Sequence, residues 1–596
     1  MRLRYLHLKN YPPVADIKVC FASGSPLGRA CAIRFVIGVN GSGKSNLLRA
    51  VAEVFLALAD LRVPAFPASL IYELGVRGSP SHRTLLLHCP GNRHLASLWL
   101  HERFAFDDQN GQEVFEACIE HLSLKGAPAV PGFSALIAPG SWPLRDSTPP
   151  QIALPSAVLA YTTGDLRPWR SVWSRNQRAE GLLETGDDTQ SDERPAGWSA
   201  AQEEALQASR QSSAETSRSR FSSNADSDQF RRPVLLDPTL LKCALLAVAL
   251  PKVFVETTGY PLSAEANSEI ATLRQSDNNK NALQDLLRRG GCHHLVSVAF
   301  RSRLQTDQWD QKVCETAHDW WLCASEVIAE PHPIDTRRTL FFDLNGPFDA
   351  LGSSFVSSAR GELQTCRSQG EALWALLGGA ADASAFDIFT RLLELNQTGL
   401  FDDVLLRLRR APVPVNGSEL STEDIGVLRY EELSDGEQMV LGRMALFHLL
   451  QGQQDALLLL DEPETHFNDK WKREIVDIID DAIGHTTNDV LISTHSAIVL
   501  SDVFSNEIVM VEKSAQGSIA RTVIEPTFAT DPSALMMTIF RADDSIGKRA
   551  QEFIEGKLRQ ATGTPAEIAD LERLIDQMGS GFYRSELRTL LNTWRG

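Results

Sequence analysis

Apolar residues at Leu47, Leu48, Val51, Val54, Phe55 and Leu58 recur at three- and four-residue steps, which predicts a helix that buries one face against a sheet. Just ahead of it, Ala32, Ile33, Phe35, Val36 and Ile37 form an apolar run of strand length. Between strand and helix lies GVNGSGKS, Gly38 to Ser45. That order is what a phosphate-binding loop needs, because a tight glycine turn aims backbone N–H groups inward at a helix N-terminus. The phosphate-binding set is then Gly38, Asn40, Gly41, Ser42, Gly43, Lys44, Ser45 and Asn46. Lys44 is expected to reach the β- and γ-phosphates, and the Ser45 hydroxyl to take one position on Mg²⁺.

The remaining pattern falls into blocks. Residues 2 to 8 and 14 to 21 read as two short strands joined by KNYPP, where Pro12 and Pro13 forbid helix. From about 61 to 165, short strands such as RTLLLH and SLWLHERFAF alternate with loops rich in Pro and Gly, and Leu154 to Asp165 reads as a further central strand with a functional tip. Between about Glu184 and Asp228, Ser, Gln, Ala, Asp, Glu and Arg dominate, so this stretch cannot bury enough surface to offset chain entropy and is expected to be flexible. Helix resumes at Asp237, an N-cap followed by Pro238. HLVSVAFRSRL and TRRTLFFDL read as strands; GEALWALLGG, FDIFTRLLELNQ and DDVLLRLRR read as helices.

The C-terminal third supplies more candidate chemistry. In LSDGEQ, Ser434 and Glu437 form a capping box at a helix start, but a capping box alone does not require Gly436. A helix N-terminus with a serine hydroxyl and a glycine backbone is a natural second γ-phosphate site. Downstream, ALLLLDE is a fully apolar strand ending in two carboxylates. Asp461 is expected to hold Mg²⁺, and Glu462 to orient and deprotonate the attacking water. The strand DVLIST then delivers His495, placed to hydrogen-bond the γ-phosphate.

Composition narrows the class. At 596 residues the chain needs two or more structural units, and its net charge of −18 argues against a surface coated throughout with nucleic-acid-binding charge, leaving room for a local basic groove. The nine cysteines include no CxxC pair, so a reducing cytoplasm is the simplest setting. Cys292, His293, His294, Cys314, His318 and Cys323 fit no standard zinc spacing. The N-terminus lacks an apolar signal core and the run LLKCALLAVAL is short and carries Lys242, so no membrane span is expected.

Taken together, GVNGSGKS, LSDGEQ, LLLLDE and His495 resemble the Walker A, signature, Walker B and H-loop motifs of the ABC ATPase superfamily. The resemblance implies an α/β P-loop head split by a large mixed α/β or helical insertion, since Lys44 and Ser434 are roughly 390 residues apart. It also implies ATP and Mg²⁺ as ligands, ATP hydrolysis to ADP and phosphate, and a head-to-tail dimer in which Lys44 of one copy and Ser434 of another, with Gly436 and Glu437 beside it, clasp one nucleotide. The implied division is 1–170 and 416–530 as the two halves of the head, 171–235 as a flexible insertion, 236–415 as a helical and mixed insertion, and 531–596 as a helical tail. The opening strand with KNYPP, DEPETHFN and STHS are more similar to OLD, RecF and SMC-like heads that act around DNA. IVMVEKSAQG has Glu512 without the following glycine of the OLD nuclease, so no complete nuclease is expected. The tail, ALMMTIFRADDSIGKRAQEFIEGKL and MGSGFYRSELRTLL, resembles bacterial anti-phage ATPases of the Septu PtuA and restriction-associated groups. There a separate effector such as a nuclease is the implied partner, whereas a RecF-type head would gate DNA binding in repair. Asn468 stands where transporter heads place an aspartate, and no Q-loop glutamine is identified.

Overall fold

The computed structural model describes residues 1–21, 27–60, 64–76, 79–91, 94–100, 133–141, 154–181, 232–250, 287, 290–303, 309, 311–330, 337–349, 355–356, 360–364, 366–379, 383–410, 426–514, 517–542, 546–560, 563–579 and 582–595. The Ser- and Gln-rich stretch 184–228 lies outside the described residues.

A seven-stranded sheet carries the site. Its strands run, edge to edge, Gly517–Thr522, Ile508–Ser514, Ala32–Ile37, Asp489–Ser493, Leu457–Asp461, Val158–Thr162 and Val234–Leu235. All neighbours are parallel except the first pair. Parallel strands covered on both faces need apolar side chains in both directions, and LLLL at 457–460 supplies them. Leu458 and Leu460 enter one core while Leu457 and Leu459 enter the other. The predicted strand at Leu154 to Asp165 is the central strand Val158–Thr162, paired so that Thr162 stands beside Asp461.

One face of this sheet packs on the helix Lys44–Ala59 and on a six-stranded antiparallel sheet begun by Arg2–Tyr11 and Val14–Cys20. The six predicted apolar positions of that helix are buried, and so are Ala50, Ala52, Leu56, Ala57 and Glu53. The helix is therefore enclosed rather than one-faced, because the antiparallel sheet covers the side that a two-layer arrangement leaves wet. Phe55 meets Tyr72 of that sheet edge to face at 6.0 Å, and Tyr11 gives Glu53 its hydrogen bond.

The other face packs on the helices Pro238–Ala249, Asp435–Leu449 and Asp469–Ile483, and the same core continues into a five-stranded antiparallel sheet. Asp237 caps its helix through the Leu240 N–H, with Pro238 in the first turn, as the sequence predicts. The strands Cys292–Arg303 and Arg337–Asp343 also form as predicted, and Phe300, Trp320, Phe342 and Phe401 pack together at one end of the sheet. DDVLLRLRR is a correction. Residues Asp403–Arg410 are a strand paired with Cys292–Arg303, not a helix. Val404, Leu406 and Leu408 are buried in alternation with Leu405, Arg407 and Arg409, so period two governs where a helical period was assigned. Cys292 sits in its strand while Cys314, His318 and Cys323 share the helix Gln311–Cys323; among the described residues no group of His, Cys, Asp or Glu is arranged to hold a metal.

At the C-terminal end, the helices Lys548–Gln560, Pro565–Gln577 and Phe582–Arg595 pack around their own small cluster of Ile554, Leu571, Ile575, Leu587 and Leu591. Among the described residues no helix is long and apolar enough to cross a membrane.

Candidate functional site

The glycine loop leaves the C-terminal end of Ala32–Ile37 and closes on the first turn of Lys44–Ala59. Gly38, Gly41 and Gly43 have φ of +151°, +73° and +103°. At Gly38 the chain has no alternative to glycine, since a Cβ would lie 2.1 Å from the Val511 carbonyl oxygen. The loop is braced from outside: Ser518 Oγ donates to the Ser42 carbonyl at 2.6 Å, and Asn46 Nδ2 to the Pro12 carbonyl at 3.0 Å. Ser42 is fully buried and Asn40 exposed. Lys44 is buried and donates to the Gly38 carbonyl at 2.9 Å, across the mouth of the loop. Burial holds its ammonium below the usual lysine range, with Glu462, Asp461 and Glu464 pulling the other way.

Two neighbouring strand ends supply the carboxylates and the histidine. Leu457–Asp461 and Asp489–Ser493 lie side by side with Asp461 opposite Ser493. Asp461 Oδ1 accepts from Ser45 Oγ at 2.8 Å and Ser493 Oγ at 2.5 Å. Its Oδ2 accepts from Thr162 Oγ1 at 3.2 Å and Trp169 Nε1 at 3.3 Å. Glu462 follows in a left-handed conformation, φ +52°, its N–H held by the Ser493 carbonyl at 3.0 Å. That turn throws the Glu462 side chain out of the sheet, where Oε1 meets His495 Nδ1 at 3.1 Å. The pair is partly open, with 32% and 53% side-chain exposure. Lys44, Ser45, Asp461, Glu462 and His495 thus converge at one end of the sheet from residues up to about 450 apart in sequence.

The oxygens present fit a hard divalent cation and a triphosphate. Ser45 and Asp461 place a hydroxyl and a carboxylate oxygen within one coordination sphere, the donor chemistry Mg²⁺ selects. A loop with left-handed glycines and a desolvated ammonium beside it is a cradle for phosphate oxygens. Thr162, Trp169 and Ser493 were not singled out in the sequence. A threonine at the tip of a predicted central strand was the one available signal.

LSDGEQ lies elsewhere. Ser434 caps Asp435–Leu449, accepting from the Glu437 N–H, while Glu437 Oε2 accepts from the Ser434 N–H at 2.9 Å. The second Glu437 oxygen takes Arg410 at 3.1 Å, and Gly436 lies under Trp471, whose ring is 3.1 Å from where a Cβ would stand. Ser434 is exposed, and its side chain hydrogen-bonds Glu437. Asn468 caps Asp469–Ile483 through the Trp471 N–H at 2.9 Å.

Residues 357–502, which hold LSDGEQ, both carboxylates and His495, match the family model described as "AAA domain, putative AbiEii toxin, Type IV TA system". No curated protein matches the chain. Among solved structures, an SMC head with an extended coiled coil, bound to the C-terminal domain of ScpA from Pyrococcus furiosus, is similar at 12% identity over 88% of this chain and 96% of that one, with a TM-score of 0.25. The SMC head domain from Thermotoga maritima is similar at 10% identity over 88% of this chain and all of the other, with a TM-score of 0.28. The strand order is that of a P-loop head: the glycine loop follows an inner parallel strand, the strand leading to His495 lies beside it, and the strand ending in Asp461 lies next.

Proposed function

We propose that this chain is an ABC-type ATPase that hydrolyses ATP to ADP and phosphate between two copies of itself. One observation carries the reading: Ser45 and Asp461, 416 residues apart, meet at 2.8 Å beside the paired Glu462 and His495. Mg²⁺, when bound, supplies positive charge at the β- and γ-phosphate oxygens. Ser45 Oγ and Asp461 would hold it, with Thr162, Trp169 and Ser493 orienting the aspartate. Lys44 would leave the Gly38 carbonyl for the phosphates. Glu462 takes the proton from the attacking water on Oε, since its carboxylate lies outside the Asp461 network and is open to solvent. His495 orients that carboxylate and the γ-phosphate.

The exposed Ser434 supports the dimer. An exposed helix N-terminus is available to a second copy's nucleotide. Each single variant, Lys44→Ala and Ser434→Arg, is expected to be inactive, while a mixture of the two regains turnover through one intact composite site. A mixture as silent as its components contradicts the head-to-tail arrangement. In the cell, the ATPase would control a separate effector such as a nuclease in anti-phage defence. The tail resemblance and the toxin–antitoxin description of the matched family support that role. Co-purification of the chain with the products of adjacent genes tests it, and loss of phage protection on deleting such a gene is the expected result.

A further inference from the structure

The turn that follows Asp461 and Glu462 and leads into the helix Asp469–Ile483 holds a third acid that the mechanism above does not use. Glu464 is 3% exposed. Its Oε1 accepts from Thr494 Oγ1, and its Oε2 has no hydrogen-bond partner. Burial pushes the carboxyl above the usual range, with the Thr494 hydroxyl pulling it back. Keeping half of a buried carboxyl unsatisfied costs stability that an apolar side chain would not, so packing alone does not account for it.

Its partner has a defined place. Thr494 immediately precedes His495; its N–H donates to the Val36 carbonyl on the P-loop strand at 3.1 Å, and its hydroxyl accepts from the Ser496 N–H at 3.0 Å. One side-chain bond therefore ties the turn that bears Glu462 to the turn that bears His495. The same turn is gripped from the opposite side. Arg443, 1% exposed on the helix begun by Ser434, donates to the Pro463 and Thr465 carbonyls that flank Glu464, the latter at 2.8 Å. Its guanidinium lies over the rings of Tyr161 and Phe467 at 5.4 and 4.9 Å and also donates to the Tyr161 hydroxyl at 2.9 Å. Tyr161 precedes Thr162, which bonds Asp461.

We propose that Glu464 is a positioning residue that holds His495 in register with Glu462 through Thr494, on a turn that Arg443 links to the Ser434 helix. Contact at Ser434 would then reach the water-activating pair through a single rigid turn rather than through the nucleotide alone. The inference rests on the ATPase reading above. A displacement of about 1 Å in a reacting pair costs up to about a hundredfold in rate.

The test is steady-state ATP hydrolysis with equilibrium ATP binding measured beside it. Thr494→Val keeps the side-chain shape and removes the bond to Glu464 together with the one from the Ser496 N–H; it is expected to lower kcat by roughly ten- to a hundredfold while leaving ATP affinity within about twofold. Glu464→Ala should do the same, the double variant should be no worse than either single one, and Glu464→Gln, which can still accept from Thr494, should recover most of the rate. If Glu464→Ala does not fold, Thr494→Val and Glu464→Gln decide. Full kcat in Thr494→Val, or losses that multiply in the double variant, overturn the inference while the wild-type ATPase stands. A wild-type protein that neither binds nor hydrolyses ATP fails the underlying reading instead.

Discussion

Replacing Glu462 by Gln changes one oxygen and separates chemistry from binding. The carboxylate contacts His495 at 3.1 Å and, beyond its charge acting on Lys44, is not hydrogen-bonded into the Ser45–Asp461 network, so the nucleotide cradle should survive. A polar contact this open contributes at most about 1 kcal/mol to folding, and a glutamine keeps a hydrogen bond to the imidazole. Loss of a general base costs about 10²- to 10⁴-fold in rate, or about 3 to 5 kcal/mol of barrier. Phosphate release should therefore fall at least about a hundredfold while ATP affinity, measured by calorimetry, stays within about threefold. On gel filtration with ATP and Mg²⁺ the variant should accumulate as a closed dimer. Turnover within about threefold of wild type would refute Glu462 as the base. Simultaneous loss of ATP binding would show that it belongs to the cradle instead.

Two further outcomes follow from the packing. Gly38→Ala should abolish ATP binding and lower the thermal midpoint, because its Cβ meets the Val511 backbone at 2.1 Å; an unchanged melt with full binding would contradict the loop geometry. His88 is held neutral, its pKa lowered to about 4 by burial and then by nearby His7 and Lys9. A base depressed in the fold contributes stability that is fully present above its ordinary 6.5 and is lost as pH falls toward 4, so His88→Gln should flatten the acid limb of a denaturation series between those values.

How much of this was legible in the sequence depended on how local each signal is. Gly38 to Ser45, Asp461 with Glu462, and His495 are short runs whose own backbone sets their geometry, and the structure gathers all of them at one sheet end. Trp169 and Ser493 were invisible because their role is to reach Asp461 from other elements, and nothing in their own neighbourhoods marks that distance. DDVLLRLRR was misassigned because Val404, Leu405, Leu406 and Leu408 satisfy both periods, and only pairing with Cys292–Arg303 decides between them. The P-loop helix was read as one-faced because a sequence does not announce a second sheet on the far side.

The central claim is that the loop at Gly38 to Ser45 holds a triphosphate through Lys44. Calorimetric titration of wild type and Lys44→Ala with ATP and Mg²⁺ tests it most directly. The account predicts saturable one-to-one binding by the wild type and none by the variant under the same conditions. Equal affinity in the two proteins would contradict it.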